Sequence, residues 1–146
     1  MRTAFVTLAL VSALCSAHAD PQEEALKVVQ AWTTAFAESD VEGILRLHAP
    51  DALFFGTGSK TLVTKTEGLR AYFEQALLTN RPRGASMGEH SIRVISESAV
   101  VITGLDTVTG TKEGKTYSAN GRVTFVIEKR GERWQIVHFH RSALPS

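Results

Sequence analysis

TYSANGRVTFVIEKRGERWQIVHFHRSA, residues 116–143, decides the fold. Two runs of alternating side chains, 116–129 and 133–143, flank the corner Lys129-Arg130-Gly131-Glu132. A period of two is the signature of strands, and so short a corner joins them antiparallel. In the first run Arg122, Thr124 and Val126 share one side, and Val123, Phe125 and Ile127 share the other. In the second, Val137, Phe139 and Arg141 share one side, opposite Trp134, Ile136, His138 and His140. Large apolar residues on both sides are unlike a sheet with one wetted face.

The same period runs back to His90. It predicts two further strands, about 90–96 and 98–109, turning at Ser96-Glu97-Ser98 and between Gly110 and Lys115. The four make an antiparallel meander. Residues 79–88 (TNRPRGASMG) read as the longest loop.

Upstream the period becomes helical. Asp20 caps, Pro21 suits the first helical position and Glu23 follows. Ala25, Val28, Val29, Trp32 and Phe36 then form one apolar stripe, ending near Ser39. Asp40 caps a short second helix with Ile44, Leu45 and Leu47 inward, and Pro50 stops it. Ala52 to Phe55 is a short strand, with Leu62 to Thr64 as its hairpin partner. Thr66 caps a third helix with stripe Leu69, Tyr72, Phe73, Ala76 and Leu77. Helices first and strands last predict an α+β fold, with three helices packed on one face of a curved antiparallel sheet. A second copy of the chain is expected to cover the other face. The alternative is that its apolar residues merely lie on the surface.

The chain has 146 residues, 43% of them hydrophobic and 21% charged, which suits one domain with a sizeable core. Sixteen Lys and Arg against 15 Asp and Glu leave no strong field for nucleic acid or an acidic membrane. Arg2, the apolar run Ala4 to Leu14 and the small-x-small site Ala17-His18-Ala19 make residues 1–19 a secretory signal peptide cut before Asp20. The alternative is an uncleaved anchor. A lipoprotein is disfavoured, because Leu14 precedes Cys15 where a small residue belongs. The expected product is one domain, residues 20–146, periplasmic or secreted and free of the membrane once cut. It lacks the only cysteine, Cys15, and so has neither disulfide nor thiolate.

Trp134 to Ser146 (WQIVHFHRSALPS) closely resembles the end of the calcium/calmodulin-dependent protein kinase II association domain, which also closes on a Trp-Gln-x-Val-His-Phe-His-Arg-Ser run and a Pro. Gly121-Arg122-Val123, Lys129-Arg130-Gly131 and Glu67-Gly68-Leu69 fit the same pattern. The remainder resembles the wider nuclear transport factor 2-like superfamily, with its SnoaL-like cyclases and ketosteroid isomerases. The resemblance implies a cone: a bent sheet wrapped by helices, an internal pocket, and assembly through the sheets. Kinase activity and calmodulin binding do not transfer, since the chain has no room for a kinase domain.

In the kinase hub, Arg residues of the matching strands point into the pocket. Here parity puts Arg122 and Arg141 both on the same side of their strands, and on neighbouring strands their guanidinium groups would converge on a small carboxylate. The alternative is internal pairing, for example with Asp106 or Glu74. The hub's third pocket Arg has no counterpart in Val100 to Asp106 (VVITGLD), which implies a weaker or different anion site. Trp32, Phe36, Phe54, Phe55, Tyr72 and Phe73 are expected to line or floor the cone, with Trp32, Phe55 and Tyr72 as ligand contacts. His138-x-His140 has the alternate spacing of a metal pair, with His90 or His48 as a third ligand. The matching hub pair is not a metal site, so packing at the subunit interface or on the outer sheet face is expected, with neither metal nor cofactor. An isomerase-type enzyme needs a carboxylate base in an apolar pocket. Its place in Leu53 to Thr57 (LFFGT) falls on Gly56; Tyr72, Tyr117, Asp106 and His90 are the possible substitutes. No Ser-His-Asp spacing, phosphate loop or dinucleotide fingerprint occurs. The leading expectation is an exported, self-assembling domain that binds a small organic anion. The alternative is an isomerase, cyclase or dehydratase acting on a small apolar substrate.

Overall fold

A computed structural model describes residues 19–145. The signal segment lies, but for Ala19, outside the described residues. The elements run α1 (Pro21–Glu38), α2 (Val41–Leu47), β1 (His48–Phe55), α3 (Thr66–Leu78), β2 (Gly84–Ser96), β3 (Ala99–Lys112), β4 (Lys115–Arg130) and β5 (Arg133–Ala143). They build an α+β fold with one five-stranded curved sheet, ordered β1-β5-β4-β3-β2.

The helix starts follow the sequence at two of three places. Asp20 accepts from the Gln22 amide, and Asp40 from the Gly43 amide. At α3 the expected cap is wrong: Thr66 is already helical, and Lys65 occupies the cap position without a side-chain bond. Ser39 closes α1 in the left-handed conformation, and its hydroxyl donates to the Leu77 carbonyl at the end of α3. None of the described helices is long and apolar enough to cross a membrane.

β2 to β5 form the expected antiparallel meander. β1 adds a mixed edge, pairing parallel with β5. Its single bridge from Phe54 to Val63 is the whole of the expected hairpin. The long loop is shorter than expected, because pairing of β2 with β3 begins at Gly84 with Thr109. The turn after β3 sits on Glu113 and Gly114, both at positive φ.

Register assigns the faces. Val123 lies opposite Arg141, Phe125 opposite Phe139 and Ile127 opposite Ile136, so the bulge at Val137 carries Ile136 to the side of Phe139. Simple alternation had put Ile136 with His138 and His140. The inner face therefore holds Val100, Ile102, Val108, Val123, Phe125, Ile127, Ile136 and Phe139, all buried. α1 lies across it with Val28, Val29, Trp32 and Phe36, and α3 adds Leu69, Phe73 and Leu77. Each fully buried large side chain stabilises by about 1.5–3 kcal/mol, so this layer dominates the folding free energy.

Candidate functional site

The core does not fill the cone completely. A cavity of about 200 Å³ remains where α1, α3 and the far ends of β4 and β5 meet. Its floor is aromatic. Trp32 stacks on Phe139 at 5.2 Å between ring centres and on Phe36 at 5.1 Å, and meets Phe125 edge-on. Phe54, Tyr72 and Phe73 complete the floor. Trp32 and Tyr72 thus sit in the cavity wall, where the sequence placed them. Phe55 does not. It follows Phe54 on the strand, so it faces the outside, 5.9 Å from the His140 ring.

Arg141 is in the wall, buried, and already partnered. Its Nε donates to Asp106 Oδ2 at 2.7 Å, one Nη to Thr57 Oγ1 at 2.7 Å, and the other to the Ala119 carbonyl at 2.9 Å. Internal pairing with Asp106 is therefore realised, while Glu74 lies on the surface beside Arg70. Arg122 does not join it. Arg122 aligns with Ser142 rather than Arg141, is exposed, and reaches only the Ala143 carbonyl at 3.5 Å. Alternation along each strand fixes which residues share a side. Only register fixes which sides of two strands match, and here the two guanidinium groups project from opposite faces.

The second cation of the cavity is Arg83, which the sequence reading missed. It precedes β2 in the segment read as loop. A local signal existed: Arg83, Ala85 and Met87 alternate on one side and Ala85 and Met87 pack on the core, but the register shift between Met87 and His90 puts them out of step with the strand that follows. The Thr111 amide, donating to the Asn80 carbonyl, holds this segment against the end of β3. The Arg83 guanidinium lies 5.1 Å over the Phe36 ring and 5.8 Å from the Tyr117 ring, and donates to the Tyr117 hydroxyl. Gly110 leaves the room: a Cβ there would lie 2.5 Å from the Arg83 Nη1 and 2.7 Å from the Tyr117 hydroxyl. Among the described residues Arg83 has no carboxylate within ion-pair distance. Its Nε is buried without a hydrogen-bond partner among them.

Tyr72 stands between these cations. Burial pushes its phenol above the ordinary tyrosine range, against the pull of the Gly58 backbone, Arg141 and Arg83. It is a neutral donor. The enzyme reading fares worse. A Cβ on Gly56 would fall 2.1 Å from the Tyr72 ring and hydroxyl, so a base at that place collides with the cavity wall. Asp106 is tied to Arg141, and His90 is exposed on β2, bonded to the Gly88 carbonyl.

The histidines divide between the faces. His48 is buried, its Nδ1 donates to the Ile44 carbonyl, and burial lowers its pKa to about 4. His138 and His140 lie on the outer face, and desolvation, then the charge of His140, hold His138 below the usual histidine value. Among the described residues no three His, Cys, Asp or Glu side chains converge as a metal centre requires.

Residues 21–145 match the family model for the calcium/calmodulin dependent protein kinase II association domain. The chain belongs to that family. No curated protein matches it. Among solved structures, a candidate association-domain protein of the same description from Xanthomonas campestris is 29% identical, with a TM-score of 0.79 over 84% of this chain and 87% of that one. A nuclear transport factor 2-like superfamily protein from Salmonella enterica serovar Typhimurium is 17% identical, with a TM-score of 0.76 over 86% and 92%. A candidate scytalone dehydratase from Novosphingobium aromaticivorans is 11% identical, with a TM-score of 0.75 over 84% and 83%. The last two share the fold and carry no more than that. The association-domain fold is thus the nuclear transport factor 2-like fold with a cystatin-like sheet.

Proposed function

We propose that this association-domain protein is a non-catalytic, self-assembling module whose cone cavity binds a small organic anion. The observation that carries the reading is Arg83. A half-buried guanidinium in the wall of an aromatic cavity, with its Nε buried and no carboxylate partner among the described residues, favours an anionic guest, because a charge partly withdrawn from water gains from a counter-charge. The Tyr72 and Tyr117 hydroxyls lie in the cavity wall beside it. Arg141 contributes orientation more than charge, since Asp106 offsets it. Binding is favoured over turnover because no Asp or Glu lines the cavity among the described residues, and Asp106 behind it is engaged by Arg141. Export before assembly rests on the signal-like residues 1–19, and self-assembly on the family and on the apolar outer face.

Thermal melts with a panel of small carboxylates test the anion reading. The expected result is stabilisation that Arg83→Gln abolishes and that Arg122→Ala, on the outer face, leaves intact. A panel in which no carboxylate raises the melting temperature overturns it.

A further inference from the structure

We infer that the guest is a planar aromatic monocarboxylate, of benzoate or cinnamate class, rather than a dicarboxylate or an aliphatic acid. This rests on the anion-binding reading above and narrows it.

Charge limits the guest first. Two guanidinium groups border the cavity, but they are not equivalent. Arg141 and Asp106 bond at 2.7 Å with side chains 9% and 5% exposed, and together they present almost no net charge. Arg83 has no such partner among the described residues. The cavity therefore offers one uncompensated positive charge and matches one negative charge. A second carboxylate on the guest would lie toward the aromatic floor, where nothing replaces its water.

The floor then selects for a ring. Trp32, Phe54, Phe73 and Phe139 border the cavity while packing on one another at ring spacings of 5.1–6.3 Å, so they give it a rigid aromatic wall with little surface left open. Aromatic pairs prefer offset-stacked and edge-on arrangements, which a flat ring satisfies and a flexible alkyl chain does not. A chain also loses rotamer freedom on entry, whereas a ring joined to a carboxylate has little to lose.

Size sets the upper bound. About 200 Å³ lies below the roughly 300–1,000 Å³ of sites for drug-sized ligands, which leaves space for one ring and a short acid arm. Arg83 stacks over Phe36 and points its Nη1 at the Tyr117 hydroxyl, so its plane is fixed by the protein before the guest arrives. That preorganisation suits a carboxylate coplanar with its ring.

Isothermal titration of the full mature chain with four probes reads the class directly: benzoate, hexanoate, terephthalate and benzamide. Benzoate is expected to bind at least tenfold more tightly than each of the others, and Arg83→Gln to weaken it at least tenfold. Hexanoate or terephthalate binding as tightly as benzoate overturns the aromatic monoacid class and leaves anion binding standing. Benzamide equal to benzoate overturns both, as does a chain that binds none of the acids. The wild-type comparison decides the matter even where Arg83→Gln fails to fold; Tyr117→Phe, which keeps the ring and removes the hydroxyl, then serves as the second variant, with a several-fold loss for benzoate expected.

Discussion

Arg141 on β5 reaches across β4 to Asp106 on β3, and it passes through the space left by Gly121. A Cβ on Gly121 would lie 2.6 Å from the Arg141 Nη2 and 2.7 Å from the Asp106 Oδ1. The pair thus ties three strands at the rim of the cavity. Both side chains are buried, so removing one leaves a buried charge without its partner. Arg141→Ala is expected to lower the unfolding free energy by about 3–5 kcal/mol in urea titrations. Asp106→Leu with Arg141→Met is expected to be far milder than the sum of its single changes. Additive losses would show that the two do not act as a pair.

Gly56 lies against Tyr72, and the contact leaves no space for a side chain. Gly56→Asp restores the carboxylate that an isomerase would carry there. It is expected to displace the Tyr72 ring at a cost of about 1–3 kcal/mol, and to confer no proton abstraction from an enolisable ketone. Near-UV circular dichroism follows the aromatic displacement, and deuterium exchange into the ketone follows the chemistry. A Gly56→Asp protein that melts like wild type and catalyses exchange would reinstate the enzyme reading.

The sequence made the architecture legible because the two periods are clean. Val123, Phe125 and Ile127 cannot all be buried except in a strand, and Val28, Val29, Trp32 and Phe36 cannot share a face except on a helix. The site was less legible, because it depends on relations between elements. Whether Arg122 joins Arg141 is decided by the β4–β5 register, and a register shifted by one residue would have turned Arg122 inward. Ile136 changed faces through one extra residue, Val137, that alternation cannot foresee. Arg83 was hidden by Pro82 and Gly84, whose turn signals masked the strand period that begins beside them. Asp106 was visible as a possible partner of Arg141, but nothing local ranked it above Glu74.

His48 gives the protein an acid sensitivity of defined sign. Unfolded, its imidazole takes up a proton near pH 6.5; folded, burial delays protonation until about pH 4. The folded state binds fewer protons across that window, so this stability is complete above pH 6.5 and is lost as the pH falls toward 4. The shift corresponds to roughly 3 kcal/mol. Urea midpoints at pH 7.5 and pH 4.5 are expected to diverge for wild type and to converge for His48→Leu, which keeps an apolar group among Phe54, Phe73 and Phe139. The same acid loss in both proteins would assign the effect to other groups.

The outer face of the sheet carries the prediction on assembly. Leu53 and Leu105 are 44% and 43% exposed there, and Phe55, Val126 and His138 lie half-buried among them. The register places His138 opposite Val126 on one side and Leu53 on the other, so the imidazole stands in an apolar row rather than at a wet rim. Sedimentation of the wild-type chain is expected to give a dimer or larger species. Leu53→Glu sets a carboxylate in that row and is expected to weaken association by about a hundredfold or more while leaving the monomer folded. His138 prefers its neutral form, so acid that charges it opposes burial of the face, and the assembly is expected to loosen as the pH falls below the usual histidine range. A wild-type chain that stays monomeric at every concentration would leave these side chains as ordinary exposed apolar surface.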